Sequence, residues 1–374
     1  MQDPTNLSPN PTKTQPTTPA GAVADFAELP RMIRESGLLD RQLRYYTLKI
    51  VSTLAMLILS IALLIVVDNF WFQIANAAFL AFVFGQIGYI GHDAGHQGVC
   101  RSVRGNRLIG YGVCSLLGMS QSWWLTQHNQ HHRSPNDLDD DPHTMIPVLA
   151  FSEEKASDIR DVRRFLVAYQ AFYFVPILTL ESLALRFSSA QFLVGARRPN
   201  TYLPELGLMA VHFALYFGLL LYALNPWQAL VFALIHQALF GLYYGLVFAP
   251  NHKGMLILDK DNPLDFVRTQ VLTTRNVKPN FLVDFLYGGL NYQIEHHLFT
   301  MIPRNRLGKA RPIVKEFCRQ RGIPYYETGT FTSYREILSH MHEVSAVLRK
   351  RSKPPANIAS GNLSAVKSGV NATG

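Results

Sequence analysis

The chain has 374 residues, 48% of them hydrophobic and 16% charged, against about a quarter charged in soluble domains. Its 35 Lys and Arg against 26 Asp and Glu give a net charge of +9, and three scattered cysteines at this length exclude a small disulfide scaffold. The apolar content excludes a mostly disordered chain, and long uncharged runs at so low a charge density argue against a nucleic-acid binder.

Residues 1–21 are rich in Pro, Thr, Asn and Gln and contain no apolar core, so they do not read as a signal peptide. Residues 1–40 as a whole read as a disordered or pre-membrane leader. Four uncharged apolar runs follow, at 50–67, 70–91, 206–224 and 227–250. A spanning helix needs about 20 apolar residues. Asp68-Asn69 separates the first two runs and Asn225-Pro226 the last two, so each pair reads as a tight helical hairpin. Burial in a large soluble core is the alternative, and two paired runs of this length make it the weaker one.

Directly after the second run stands His92-Asp93-Ala94-Gly95-His96. Spacing of i, i+4 puts both imidazoles on one helix face, as a shared metal requires. The uncharged stretch 108–119 is too short to cross. Trp123 and Trp124 come next, fit either to anchor at the interface or to line a tunnel. His128-Asn129-Gln130-His131-His132 places His128 and His131 on one face and His132 about 100° away. That arrangement can serve two neighbouring metals. Asp140 and Asp141 are candidates to orient one of these imidazoles; a solvated acidic turn, with His143 beside it, is the plain alternative.

The stretch 165–180 follows Arg163-Arg164, contains Pro176 and reads as a helix in or near the interface. His212 and His236 fall inside the last two runs and read as hydrogen-bonded helix contacts. Asn251-His252 closes the fourth run. Gln293-Ile294-Glu295-His296-His297 repeats the spacing of the second cluster with Gln in first place. Residues 301–353 hold 12 Lys and Arg against 4 acidic residues, and Arg41, Arg44 and Lys49 precede the first run, whereas the two tips carry none. Both termini and the middle loop therefore face the cytoplasm. His340 and His342 read as surface residues, and 354–374 as a disordered tail.

If 165–180 does not cross, all three clusters and His252 share one side and can converge. If it crossed, the third cluster would lie opposite the others. Eight imidazoles without cysteine exclude an iron–sulfur cluster and disfavour structural zinc. Iron, copper, nickel and zinc all accept imidazole. So many ligands suggest two ions, and a redox pair of irons can reduce O2 where zinc cannot. The membrane setting implies a lipid substrate. A metal transporter would set its ligands within the spans, whereas most here lie at span ends or in loops.

HDAGH, HNQHH and QIEHH, in this order and topology, resemble the three histidine boxes of the membrane-bound fatty acid desaturases, over about residues 41–326. Gln293, the run Asn-Tyr-Gln-Ile-Glu-His-His-Leu-Phe and the Ile-Pro-Arg after it resemble the front-end, linoleoyl-CoA-desaturase-like subgroup. The resemblance implies an all-α membrane protein: four transmembrane helices in two hairpins under a cytoplasmic helical cap, the membrane domain running over 41–353. It implies two Fe ions held by His92, His96, His128, His131, His132, His252, His296 and His297, with Gln293, or Asn251 through a water, completing the shell. It further implies O2-dependent insertion of a double bond into an acyl-lipid or acyl-CoA. Two electrons from a partner and two from the C–H bonds then reduce O2 to two waters. No His-Pro-Gly-Gly haem motif of a fused cytochrome b5 occurs in the sequence. Ferredoxin, cytochrome b5 or a flavoprotein reductase is thus the expected separate donor, and the bacterial inner membrane the expected location. A lipid or carotenoid hydroxylase or ketolase on the same scaffold is the alternative, because it begins with the same hydrogen abstraction. Arg304, Arg306, Lys309 and Arg311 could meet a phosphate or CoA headgroup, but the cytoplasmic charge bias explains them equally well.

Overall fold

The structure is a computed structural model describing residues 22–196, 198–259 and 262–349. The leader before residue 22 and the tail after 353 lie outside the described residues. Helices α1 (Ala22–Glu35), α2 (Leu43–Val66), α3 (Phe70–Gly95), α4 (Val103–Leu117) and α5 (Gln121–Arg133) lead into three short ones. These are α6 (Glu153–Asp158), α7 (Asp161–Ala168) and α8 (Gln170–Ile177), and a single 3-10 turn joins α8 to α9 (Glu181–Val194). The long α10 (Tyr202–Ala223) and α11 (Pro226–His252) come next, then α12 (Phe266–Leu272), β1 (Asn276–Val277), α13 (Phe281–Leu286) and α14 (Gln293–Leu298). The chain continues through α15 (Arg304–Gln320), β2 (Glu327–Thr328), α16 (Thr330–Val344) and α17 (Ala346–Arg349).

Among the described residues, five segments are long and apolar enough to cross a membrane: Leu43–Val66, Phe70–Gly95, Gln170–Val194, Tyr202–Ala223 and Pro226–His252. Four match the apolar runs. The fifth extends the stretch expected in the interface, because α9 carries the segment on past Glu181 and Arg186, which interrupt its apolar run. Arg186 is buried and donates to the Gln237 side chain on α11 at 2.7 Å. Large apolar side chains such as Ile58, Phe172, Leu215 and Tyr222 stand exposed along these segments. Apolar area of that extent belongs against lipid.

Inside, α3 and α11 form the axis of the bundle. Gly85, Gly88, Gly91 and Gly95 present a bare stripe on α3, against Tyr243, Tyr244, Val113 and Trp124 respectively. Small residues allow such close approach where no water drives helices together. α2 is pinned to α3 by polar contacts within the apolar layer. Ser60 donates to Asn76 at 2.8 Å, and Gln73 donates to the carbonyls of Leu63, in the last turn of α2, and of Val67, which caps it. The cap has its own core, where Leu29 and Ile33 of α1 pack with Ile294, Leu307, Val314 and Phe317. So part of the segment read as leader is an ordered helix. β1 and β2 pair in parallel, Asn276 opposite Glu327 and Val277 opposite Thr328.

Candidate metal centre

Each histidine motif rides on a helix that ends at one place. α3 runs on to Gly95, so His92 sits in its last turn and His96 caps it. Ser120 caps α5, accepting from the Trp123 N–H, and α5 carries His128, His131 and His132 toward its end. Asn251 and His252 are the final residues of α11. α14 carries Gln293, His296 and His297 and is held by Asn276, which accepts from the Ile294 N–H and donates to Glu295 at 2.8 Å.

The eight imidazoles form two groups. In one, ligand atoms of His92, His96, His128, His132 and His296 lie within 4.8 Å of one another; in the other, those of His131, His252 and His297 do. The neighbours His131 and His132 fall in different groups, and so do His296 and His297, because adjacent helical residues diverge by about 100°. Ring nitrogens face each other across the cluster: His96 to His128 at 2.8 Å, His128 to His132 at 3.1 Å, His131 to His252 at 3.2 Å and His132 to His296 at 3.2 Å.

Four rings are turned by a partner on Nδ1. His92 meets Asp93 at 3.2 Å, His131 meets Asp141 at 3.0 Å, His252 meets the Thr273 carbonyl at 3.2 Å and His297 meets Gln270 at 2.8 Å. A second partner of this kind fixes the tautomer and frees Nε2 for a metal. Burial, aided by the neighbouring imidazoles, pushes His96, His128, His132, His296 and His297 well below the ordinary imidazole value of 6.5. These rings are neutral at pH 7, the form that binds metal. The Nε2 of His297 and the Oε1 of Gln293 are buried without a partner among the described residues. Converging neutral imidazoles with orphaned donor atoms fit divalent first-row metals well.

The other expected residues distribute unevenly. Gln293 reaches His252 at 3.1 Å, beside the three-histidine group. Asn251 is fully buried, and neither side-chain polar atom has a partner among the described residues. Asp141 meets His131, but Asp140 is exposed and bonds through its backbone, accepting from Gln130 and donating to Asp137. His143 stacks on His131 at 4.3 Å between centroids. His236 meets the Tyr216 hydroxyl at 2.8 Å. His340 is half-buried and bonds the Phe151 carbonyl at 3.0 Å, so it is not a plain surface residue. Arg304 is buried, pairing with Asp93 at 2.5 Å. Sequence reasoning passed over Asp93, although it stands inside the first motif. Gln270 and Thr273 carry no local signal, since their spacing to the histidines is set by the fold.

Beside His92 lies a small cavity lined by Gly88, Gly91 and Gly95 of α3 and by Val113, Met119, Trp124 and Tyr244. Trp124 stacks on His128 at 4.4 Å and 20°. His92 thus borders a small, mainly apolar cavity.

Residues 69–329 match the sequence model of the family described as Fatty acid desaturase. The acyl-lipid (9-3)-desaturase of Physcomitrium patens is 30% identical over 331 residues, covering 86% of this chain and 62% of that protein. The Delta(6)-fatty-acid desaturase fat-3 of Caenorhabditis elegans is 29% identical over 340 residues, 86% of this chain and 75% of its own. The Delta(8)-fatty-acid desaturase 1 of Arabidopsis thaliana is 30% identical over 325 residues, 82% and 71%. This chain therefore spans between three fifths and three quarters of the length of these relatives. With its histidine motifs gathered at one buried centre and the family match extending over most of its length, the chain belongs to the fatty acid desaturase family.

Proposed function

We propose that the protein is an O2-dependent fatty acyl desaturase that inserts a double bond into an acyl-lipid or acyl-CoA. It draws electrons from a separate ferredoxin, cytochrome b5 or flavoprotein reductase. The observation that carries this reading is the convergence of the three histidine motifs and His252 into two neighbouring imidazole groups. His92, His96, His128, His132 and His296 would hold one iron, and His131, His252 and His297, completed by Gln293 or Asn251, the other. Bound there, the two irons supply the activation of O2 that removes hydrogens from adjacent methylenes. The chain's own residues do the rest. Asp93, Asp141 and Gln270 aim the imidazoles. Trp124 and the glycine stripe of α3 hold the acyl chain against the centre and keep water out, so position alone selects the carbon that reacts.

We also read four crossings, in two hairpins, with both termini and the centre on the cytoplasmic side. Gln170, at the start of the fifth apolar segment, bonds Ala150 and the Met341 carbonyl in the cap. Past that segment's end, Glu205 in the first turn of α10 accepts from Ser120 and Ser122 at the head of α5, at 2.6 and 2.5 Å. α10 and α11 together return the chain to the side it left, and α11 ends at the centre. These contacts support a segment 170–194 that dips in and comes back. The membrane domain is read as 41–353. The named relatives are eukaryotic and lend nothing to a bacterial inner membrane.

Lipid analysis of a host expressing the protein tests the reading. A new unsaturated acyl chain that disappears with His131→Ala is expected, together with iron in the purified protein. A hydroxylated or keto product, or zinc without iron, would overturn it.

A further inference from the structure

Seven of the eight imidazoles are buried and His132 is half-buried, so an ion from water has to be led to them. Among the described residues a third group of ligand atoms adjoins the centre. Those of His131, Asp141 and His143 lie within 4.8 Å of one another, and His143 is exposed. His131 therefore belongs to two groups at once. Its Nδ1 meets Asp141 at 3.0 Å, and its Nε2 faces that of His252 at 3.2 Å inside the three-histidine group. One ring has a nitrogen on either side of the boundary between the outer group and the buried one.

The outer group is held in place by its own loop. Asp141 caps the 3-10 turn Pro142–Thr144 and accepts from the backbone N–H of His143 at 2.9 Å and of Asn136 at 2.8 Å. A carboxylate has about four lone-pair sites, so these bonds and His131 fix it and still leave room for a cation. His143 stacks on His131 at 30°, which sets its ring beside that carboxylate.

Charge draws a cation here and keeps it from staying. Residues 137–141 include four aspartates, of which Asp139 pairs with Lys155 at 3.0 Å. Such a run raises the local concentration of cations. Against it, Lys253 donates to the His143 carbonyl at 2.7 Å and sets a positive charge beside the group. An ion held by one imidazole and one carboxylate next to an ammonium is held weakly. Three imidazoles wait on the far side of His131.

Resting on the reading of the centre as an iron site, we propose that His143 and Asp141 form an entry site, which captures a divalent ion from water and passes it through His131 to the three-histidine group. The ion exchanges bound waters for a His143 nitrogen and an Asp141 oxygen. His131 then takes it over and delivers it to His252 and His297. No electron moves in the transfer. With the ion seated, Asp141 returns to the Nδ1 of His131 and fixes the loaded ring. His143 is needed while metal enters and not while it stays.

The test follows loading of the full-length, metal-free protein in nanodiscs. Ferrous iron is added without oxygen, uptake is stopped at timed intervals with excess chelator, and protein-bound iron is measured by plasma mass spectrometry. Two substitutions separate a ligand from a packing role. His143→Phe keeps a ring on His131 and deletes the ligand atoms. It is expected to slow loading about tenfold, the lower end for loss of a supporting partner at a metal site, and to reach the same final iron content. His143→Asp deletes the ring and keeps a ligand, and it is expected to load nearly as fast as the wild type. His143→Ala takes the place of His143→Phe should that variant not fold. A wild-type rate without the ligand, equal slowing by the ligand-free and Asp variants, or a lower final iron content in either overturns the proposal. A wild-type protein that takes up no iron at all sinks the reading of the centre instead.

Discussion

Asp141 and Asp140 are neighbours with opposite surroundings. Asp141 is fully buried, accepts from the Asn136 and His143 backbone N–H groups, and meets His131; Asp140 is exposed. Asp141→Asn is expected to weaken metal retention by roughly 10- to 100-fold, while Asp140→Asn leaves it unchanged, as metal analysis after dialysis against a chelator will report. Acid acts on other rings of the centre. The folded values of His96, His128, His132, His296 and His297 lie well below the unfolded 6.5 because burial disfavours their charged form. As pH falls the unfolded chain takes up protons first. Their contribution to stability is therefore whole above about 6.5 and is lost as pH drops toward the folded values. The melting temperature and iron content should both decline between about pH 7 and pH 5. A flat profile would contradict this. The histidine ligands are legible in the sequence because helical spacing alone brings i, i+3 and i+4 together. Gln270 is not, since it precedes His297 by 27 residues and meets it only through the tertiary fold.

The helices also differ in how much of their fate the sequence carries. The four long apolar runs announce themselves. The segment from Gln170 to Val194 does not, because a buried arginine finds a glutamine on another helix, a pairing that hydropathy cannot register. Its seat is Gly241 on α11, where an added Cβ would stand 2.8 Å from the backbone carbonyls of both Leu178 and Thr179. Backbone cannot swing aside as a side chain can. Gly241→Ala is expected to cost about 1–3 kcal/mol, read as a lower melting temperature in detergent. Gly207→Ala, which meets nothing within 4 Å, serves as the neutral control.

Taken whole, the chain is an integral membrane protein whose low charge content follows from its apolar segments and whose chemistry is confined to the ends of helices that converge from both halves of the sequence. The first half supplies α3 and α5, the second α11 and α14, and neither half assembles either imidazole group alone. The two His-His dipeptides, 131–132 and 296–297, each reach into both groups. An ion seated in one group thereby straightens the backbone that presents ligands to the other, and the entropy of ordering α5 and α14 is spent only once. Loading should consequently be all-or-none. Native mass spectrometry of the metal-free protein titrated with ferrous iron is expected to show two dominant species, carrying zero and two ions, with the single-ion form scarce throughout. The enzyme would then behave as a switch toward iron supply, active or inert, with few molecules caught holding one ion and able to start chemistry they cannot finish.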